Sequence, residues 1–240
     1  MIPEIIHQTA KSRDLSWEEA RLVKRLRRML PGWEYHLWDD QDNARLVAEH
    51  FPHYSGMYDA IPYGVARSDV ARYVYMHAFG GFYLDTDYKL LRPLDNQLRS
   101  PDCLIPLEGA DPQDEPATPD YLGLGNAIMG SAPGHRFWGD LVTHIFECKR
   151  PHTLTRNEHI IQTTGPEVLT RFYLARAAEY PDIALPAKNR FYPRMSWLGT
   201  RTSAEPDTYG VHLHWGSWRS KSLNIAARTL LRRKLNGLLS

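Results

Sequence analysis

The sequence is poor in cysteine, in long apolar runs and in net charge, and each shortage excludes a class of protein. Its two cysteines, Cys103 and Cys148, are too few for a disulfide framework or a cysteine zinc site, and they fit a reducing compartment. No stretch approaches the roughly 18 uninterrupted apolar residues of a membrane span. The formal net charge of +1 lacks the basic bias of a typical nucleic-acid-binding protein, so we expect no nucleic-acid partner.

The two ends of the chain bear on its location. Residues 1–14 contain neither a basic segment followed by an apolar core nor a small-residue cleavage site, so we expect a cytoplasmic protein. Residues 219–240 carry six cations and no acid, interspersed with leucine and isoleucine. That composition predicts a basic amphipathic helix that lies on the inner face of an anionic membrane. The alternative is a helix that packs on its own domain and leaves its basic face in solvent.

The length and the order of the predicted elements indicate one α/β domain. No internal repeat or linker marks a second unit, so a single domain is expected over residues 1–240. The opening predicts a strand at 2–6, a helix at 16–29 capped by Ser16, a strand at 33–38 and a helix at 41–50. This β-α-β order favours a sheet with parallel strands.

The rest of the chain continues the mixture of strands and helices. Further helices are predicted at residues 64–79, 134–147 and 166–179, and strands at 82–84, 88–91, 103–107, 126–129 and 209–215. Residues 111–121 are acidic and rich in proline, which predicts a long irregular loop.

Two aspartates follow the apolar strand of the segment FGGFYLDTDYKLLRP, residues 79–93. In an extended chain, Asp85 and Asp87 project to one side and Thr86 to the other. Two carboxylates held close together repel each other unless a cation lies beside them, and oxygen ligands suit Mg²⁺ or Mn²⁺. The alternative is an ordinary solvated turn.

A second charged pair, Asp69 and Arg72, lies one helical turn apart on the helix predicted at 64–79. By itself the pair indicates no more than an i, i+3 ion pair on an exposed helix face, where it contributes a few tenths of a kcal/mol, roughly.

Taken together, these motifs resemble those of a known family. The string ARSDVARYVYMHAFGGFYLDTDYKLLRPLD, residues 66–95, resembles the sugar-binding DXD region of glycosyltransferase family 32, and more distantly that of the glucosylating bacterial toxins. The opening IPEIIHQTAK, the segment YHLWDD and the late stretch VHLHWGSW are similar to other motifs of that family. The resemblance spans about residues 2–218, with Ala10 where the family has tryptophan.

The resemblance implies a GT-A fold, in which a Rossmann-like mixed sheet flanked by helices binds a nucleotide-sugar. It implies Mn²⁺ or Mg²⁺ as cofactor, bridging the donor's two phosphates, and retention of configuration at the anomeric carbon. Asp87 would be a direct metal ligand, and Asp85 would reach the metal or the donor ribose. Asp69 and Arg72 would contact the donor, with Tyr83 in support.

The closing motif adds the remaining members of the implied site. His212 is the first choice for a third metal ligand and His214 the second, since alternation on a strand places both on one side. Ser217 and Trp218 would close over the phosphates.

Four further residues are candidates for the same cleft. Asn126 would offer an amide to the sugar, and Gly165 lies where a helix start leaves backbone N–H groups free. His7 and Gln8 end the first strand, at the edge where ligands collect in open α/β sheets. All four also have a purely structural alternative.

The leading hypothesis is therefore a glycosyltransferase that uses a nucleotide-sugar, with UDP favoured, and a glycan or lipid-linked acceptor, in surface polysaccharide synthesis. One alternative is a metal-dependent phosphohydrolase of nucleotide-sugars. Another is a non-catalytic glycan-binding module, against which the paired aspartates argue.

Overall fold

The computed structural model describes residues 1–109, 123–148, 155–193 and 204–215. The strands are β1 (Ile5–Thr9), β2 (Glu34–Trp38), β3 (Gly81–Leu84), β4 (Tyr88–Leu90), β5 (Cys103–Leu104), β6 (Ile128–Ser131), β7 (Ile183–Ala184) and β8 (Gly210–His212). The helices are α1 (Trp17–Met29), α2 (Asp40–His50), α3 (Ser55–Asp59), α4 (Gly64–Ala78), α5 (Asn96–Arg99), α6 (Arg136–Glu147), α7 (Arg156–Thr163), α8 (Pro166–Arg176) and α9 (Lys188–Phe191). Short 3-10 turns cover Pro52–Tyr54 and Ala177–Glu179.

Some of the expectations concern residues outside these ranges. The loop predicted at 111–121, Ser217, Trp218 and the helix predicted at 219–240 lie outside the described residues. Within the described part of the chain, no helix combines the length and the apolar character needed to cross a bilayer.

The main sheet has six strands in the order β2-β1-β3-β6-β5-β7. Strand β1 runs parallel to both β2 and β3, as the β-α-β opening predicts. Strand β6 is antiparallel to β3 and β5, and β5 is parallel to β7, so the sheet is mixed. Strands β4 and β8 form a separate antiparallel pair. The predicted elements of the described residues occur within a few residues of their expected bounds, whereas α3, α5, α7, α9 and β7 were not predicted.

Helix α4 passes through the apolar core. Residues 69–76, more than two full helical turns, are all buried. The reason is that α4 is enclosed by α2, α6 and the sheet, so burial extends around the helix. Charged residues of α4 consequently lie in the interior.

Helix α1 fixes the segment that follows β3. Ser16 caps α1 as predicted, through a capping box with Glu19. The carboxylate of Glu19 also accepts a hydrogen bond from the Thr86 hydroxyl at 3.0 Å, and Arg25 Nε donates to the Leu90 carbonyl at 3.0 Å. The helix therefore contacts the turn between β3 and β4 at Thr86 and the end of β4 at Leu90.

Two glycines let α4 lead directly into β3. Gly80 and Gly81 have φ of 64° and 81°, which L side chains rarely adopt. A Cβ on Gly80 would lie 2.5 Å from the Ser131 carbonyl oxygen, and one on Gly81 would lie 2.6 Å from that of Ile5. The close backbone approach fixes where β3 begins, and hence where it ends.

His7 of β1 lies close to the glycine turn that precedes β3. Its ring is fully buried and stacks on the rings of Trp38, Tyr75 and Phe79. Nδ1 accepts a hydrogen bond from Trp38 Nε1 at 3.1 Å, and Nε2 lies 3.0 Å from the Gly80 carbonyl, which can only accept. The partners therefore fix the neutral Nε2–H tautomer. Burial and the neighbouring His36 lower the pKa of His7 to about 3.

We predict that His7 stays neutral across the range in which most histidines titrate. The side-chain ¹⁵N resonances of His7 should keep the Nε2–H pattern from neutral pH down to about pH 5. Because the folded pKa lies below the unfolded one, His7 contributes its full stability above about pH 6.5 and loses it as pH falls toward its folded value. His7→Phe should flatten this part of the stability profile. A His7 resonance that titrates near pH 6.5, roughly, would contradict the assignment.

Candidate active site

Asp85 and Asp87 flank a turn rather than continue a strand. Strand β3 ends at Leu84, and the Tyr88 N–H donates to the Asp85 carbonyl at 2.9 Å. The extended geometry from which the sequence analysis reasoned is therefore wrong for this segment. The two side chains nevertheless converge, because the turn delivers both to the ring of His212.

His212 reaches the aspartates through strand pairing. In the β4–β8 ladder, His212 lies opposite Tyr88. Its Nε2 lies 3.2 Å from Asp87 Oδ1 and 3.7 Å from Asp85 Oδ2. One ligand atom from each of the three residues lies within 4.8 Å of the others. Two carboxylates and an imidazole form a donor set that suits a divalent cation such as Mn²⁺.

His214 lies next to His212, as expected, but not through alternation along a strand. Strand β8 ends at His212, so the strand predicted to continue to residue 215 is too long. His214 has φ of 48°, a left-handed conformation, and its ring centroid lies 3.9 Å from that of His212. Both histidines thus face one site, His214 from beyond the strand end.

Glu108 is a member of this cluster that sequence reasoning missed. Its Oε1 lies 3.9 Å from His212 Nδ1 and 3.9 Å from His214 Nε2. It forms a second possible ligand group with the two histidines. Glu108 follows β5 without any motif that marks it, so no sequence signal could have found it.

The charges of the cluster shift one another's pKa values. Burial alone would raise the pKa of Asp87, but the charge and hydrogen bond of His212, together with the Trp215 N–H at 2.9 Å, lower it to about 2. Burial would likewise lower the pKa of His212, but Asp87 and Glu108 raise it to about 10. Burial raises the pKa of Asp85 despite the nearby charges of Arg72 and His212. The site therefore holds a dense negative charge that needs cations beside it.

Arg72 is the resident cation of the site. Its Nη2 lies 3.2 Å from Asp69 and 3.3 Å from Asp85, and its Nη1 donates to the Asn126 carbonyl at 2.7 Å. The guanidinium stacks 4.6 Å above the Tyr83 ring, whose hydroxyl donates to Asp85 at 2.5 Å. The exposed ion pair considered for Asp69 and Arg72 is wrong, because each residue is only 4% exposed.

Asp69 connects this cation to the residues around the start of α8. It accepts hydrogen bonds from the Asn126 amide and the Thr164 hydroxyl, both at 3.1 Å. Burial, opposed by Arg72, raises the pKa of Asp69 to about 6. Gly165 is the N-cap residue of α8, and Pro166 occupies its first turn as predicted. The free N–H expected at Gly165 is wrong, because it donates to the Ile160 carbonyl at 2.9 Å. The Asn126 amide is likewise bonded within the protein, to Asp69.

The two candidates from β1, His7 and Gln8, lie in different surroundings. Gln8 donates from Nε2 to the Asp85 carbonyl at 3.1 Å and accepts from the Tyr35 hydroxyl at 2.9 Å. It therefore braces the turn from behind. His7 uses both ring nitrogens in the aromatic stack and does not join the acidic cluster.

The predicted residues that the fold brings together come from five separated segments of chain. They are Gln8, Asp69, Arg72, Tyr83, Asp85, Asp87, Asn126, His212 and His214. Ser217 and Trp218 lie outside the described residues.

The sequence was compared with protein families and with known proteins. Residues 16–104 match the glycosyltransferase sugar-binding region containing the DXD motif. Inositol phosphoceramide mannosyltransferase 3 of Schizosaccharomyces pombe is 33% identical over 178 residues, 72% of this chain and 45% of the relative. Inositol phosphoceramide mannosyltransferase 2 of the same yeast is 27% identical over 94% of this chain and 60% of the relative. The chain thus spans about half the length of these relatives.

A solved structure shares the fold. The PaToxG glycosyltransferase aligns with a TM-score of 0.53 at 13% identity, over 74% of this chain and 70% of that one. The expected GT-A fold, a mixed sheet flanked by helices, is confirmed. The matched region contains Asp69, Arg72, Asp85 and Asp87. The chain belongs to the glycosyltransferases whose sugar-binding region contains the DXD motif.

Proposed function

We propose that this chain is a retaining, metal-dependent glycosyltransferase that moves a sugar from a nucleotide-sugar to a lipid-linked or glycan acceptor. The observation that carries the proposal is the convergence of Asp85, Asp87 and His212 beside the buried guanidinium of Arg72. A module that only binds glycans has no need for carboxylates concentrated around a histidine.

The residues fit the divalent metal that the family implies. Asp87 and Asp85 would hold it through oxygen, and His212 through Nε2, the nitrogen that already faces both carboxylates. When bound, the cation supplies positive charge where the leaving nucleoside diphosphate gains negative charge. We propose Mn²⁺, since imidazole beside carboxylate is a softer set than Mg²⁺ prefers.

Arg72 has a positioning role in this proposal. Its guanidinium holds Asp85 against the turn and neutralises Asp69, so the aspartates keep their places before any cation binds. Retention is supported by the family resemblance. Asp85 and Asp87 are committed to His212 and Arg72, which leaves front-side attack, with the leaving phosphate assisting deprotonation of the acceptor hydroxyl, as the proposed course.

The relatives supply the proposal for the sugar and the acceptor. Both yeast proteins are named mannosyltransferases acting on inositol phosphoceramide, so we propose mannose and a phosphate-bearing glycolipid. The lipid-linked acceptor is thereby favoured over a polysaccharide. The base, for which the sequence analysis favours UDP, is decided by titrating UDP and GDP side by side.

We also propose that the protein works at the inner face of a membrane. The helix predicted at 219–240 is one contact, and α1 offers another. Trp17 is 67% exposed, and Lys24, Arg27 and Arg28 are exposed with it on the outer side of α1. A basic face with an exposed tryptophan suits anionic lipid headgroups.

The first prediction concerns the donor and the metal. Calorimetric titration of UDP and of GDP, with and without Mn²⁺, should give tight binding of one nucleotide only when the metal is present. Asp87→Asn removes a charged ligand at nearly constant shape, so binding with Mn²⁺ should weaken by about 100-fold, which is about 2.8 kcal/mol. The control is Asp182→Asn, an exposed carboxylate that precedes β7 and pairs with His135 outside the cluster, which should leave nucleotide binding unchanged.

Three outcomes would contradict this prediction. Nucleotide binding that is indifferent to Mn²⁺ and to Asp87→Asn, or no binding of either nucleotide, would favour the glycan-binding module. Release of nucleotide from GDP-mannose or a UDP-sugar without a glycosidic product, even with acceptor glycolipid present, would favour the phosphohydrolase.

The second prediction concerns Arg72 as countercharge. Arg72→Leu keeps most of the side-chain volume but leaves Asp69 and Asp85 without their buried partner, so the free energy of unfolding should fall by about 3–5 kcal/mol. Arg171→Leu breaks an exposed ion pair with Glu167 and should cost about 1 kcal/mol or less. Urea unfolding of both variants measures the difference. Equal losses would mean that Arg72 is not the countercharge.

The third prediction concerns the membrane. Sedimentation with vesicles containing phosphatidylinositol or phosphatidylserine should retain the wild-type protein, whereas neutral vesicles should not. Lys24→Glu with Arg28→Glu should weaken retention, because α1 then repels the surface. The matched control reverses two exposed cations elsewhere, Arg156 and Arg176. Retention unchanged by the α1 variant would assign any contact to residues 219–240 instead.

A further inference from the structure

His212 presents two ring nitrogens, and only one of them faces the aspartates. Nε2 lies within 3.7 Å of carboxylate oxygens of Asp85 and Asp87. Nδ1 is buried, and in the described part of the chain it makes no direct hydrogen bond. The carboxylate on its side is that of Glu108, with Oε1 at 3.9 Å. The ring therefore lies between two acidic groups that come from different parts of the fold.

The chemistry of imidazole limits what this arrangement can do. A neutral imidazole has one lone pair and one N–H. If Nε2 gives its lone pair to a cation shared with Asp85 and Asp87, the proton must lie on Nδ1. A metal-binding histidine usually donates that N–H to a carboxylate or a carbonyl, which fixes the ring and makes it a better ligand. On the Nδ1 side of His212, Glu108 provides that carboxylate.

Backbone hydrogen bonds position the segment that carries Glu108. The Glu108 N–H donates to the Gly123 carbonyl at 2.8 Å, and its neighbour Leu107 bridges Leu124 and donates to the Pro186 carbonyl at 3.0 Å. The side chain is 27% exposed, so its charge lies at the wall of the site. Glu108 thus approaches His212 from a segment beyond β5 that is hydrogen-bonded to Gly123 and Pro186.

His214 adds an independent observation. It is the one non-glycine residue with positive φ among the described residues, and strain of that kind occurs often at functional sites. This conformation places its Nε2 at 3.9 Å from the same Glu108 oxygen. One carboxylate therefore serves two adjacent histidines, which concentrates negative charge on the side of the rings away from the aspartates.

We propose that Glu108 is a positioning residue of the metal site, which accepts the Nδ1–H of His212 and so directs Nε2 at the cation held by Asp85 and Asp87. The proposal rests on the metal-dependent function proposed above. It assigns no reaction step to Glu108, and it predicts an effect on metal affinity that precedes catalysis.

The test is a titration of Mn²⁺, followed by the electron paramagnetic resonance signal of the free ion, with the full chain and the nucleotide that it binds. Outer-shell partners of metal ligands contribute about 10- to 100-fold in affinity. Glu108→Gln keeps an acceptor without its charge, so we expect about tenfold weaker binding, and about 100-fold for Glu108→Ala. Glu167→Gln, an exposed carboxylate paired with Arg171, is the matched control and should bind like wild type.

Spin-echo modulation by ¹⁴N of the bound Mn²⁺ supplies a readout that general loss of stability would not change. The imidazole coupling should be clear in the wild type and in Glu167→Gln, and altered in both Glu108 variants at equal occupancy of metal. Circular dichroism of the metal-free variants checks that they are folded.

Three results would overturn the inference, and they are distinguishable. Wild-type protein that binds no Mn²⁺ would overturn it together with the proposed function. Wild-type binding with unchanged affinity in Glu108→Ala would overturn it alone. Weaker Mn²⁺ binding in both Glu108 variants with the ¹⁴N coupling unchanged would overturn it as well, because Glu108 would then act on the metal without acting through His212.

Discussion

The site depends on one buried positive charge placed between two carboxylates. Arg72 lies in the interior because α4 is enclosed on nearly all sides, and it is 3.2 Å from Asp69 and 3.3 Å from Asp85. The guanidinium offsets the cost of burying the charge of Asp69, and it lies against Asp85, which is partly exposed. The guanidinium is planar and always charged, and it contacts both carboxylates, the Asn126 carbonyl and the Tyr83 ring together. A lysine could not make these contacts at once.

Around Arg72, the course of the backbone determines the positions of the other side chains of the site. The glycines at 80 and 81 start β3 close against β1 and β6, so that its end delivers Asp85 beside Arg72. Helix α1 and Gln8 then hold the turn from opposite sides. The β4–β8 ladder brings His212 back from far along the chain. Backbone contacts therefore determine the positions of the site's side chains, whereas Arg72 balances their charges. The site requires both.

The sequence predicts much of this, and the exceptions have physical reasons. Capping residues are local, so Ser16 and Pro166 could be placed correctly from their neighbours. The bounds of β8 could not, because the N–H groups on either side of His214, those of Leu213 and Trp215, donate to Asp87, which is far away in sequence. The pairing of Asp85 with Asp87 was expected for the wrong reason, since a turn, not alternation along a strand, brings them to His212. Glu108 was missed because nothing near it in sequence marks it.

Part of the site is bonded together without any contact from β8. Asp69, Arg72 and Asp85 lie within a short stretch of chain and are bonded to one another without any contribution from β8. His212 joins them only when β8 pairs with β4, and Glu108 approaches from the end of β5 on the other side of the ring. The contacts among Asp69, Arg72 and Asp85 therefore do not depend on His212. A cation shared by Asp87 and His212, as proposed above, would link β8 to this cluster, and its binding would then stabilise the pairing of β8 with β4.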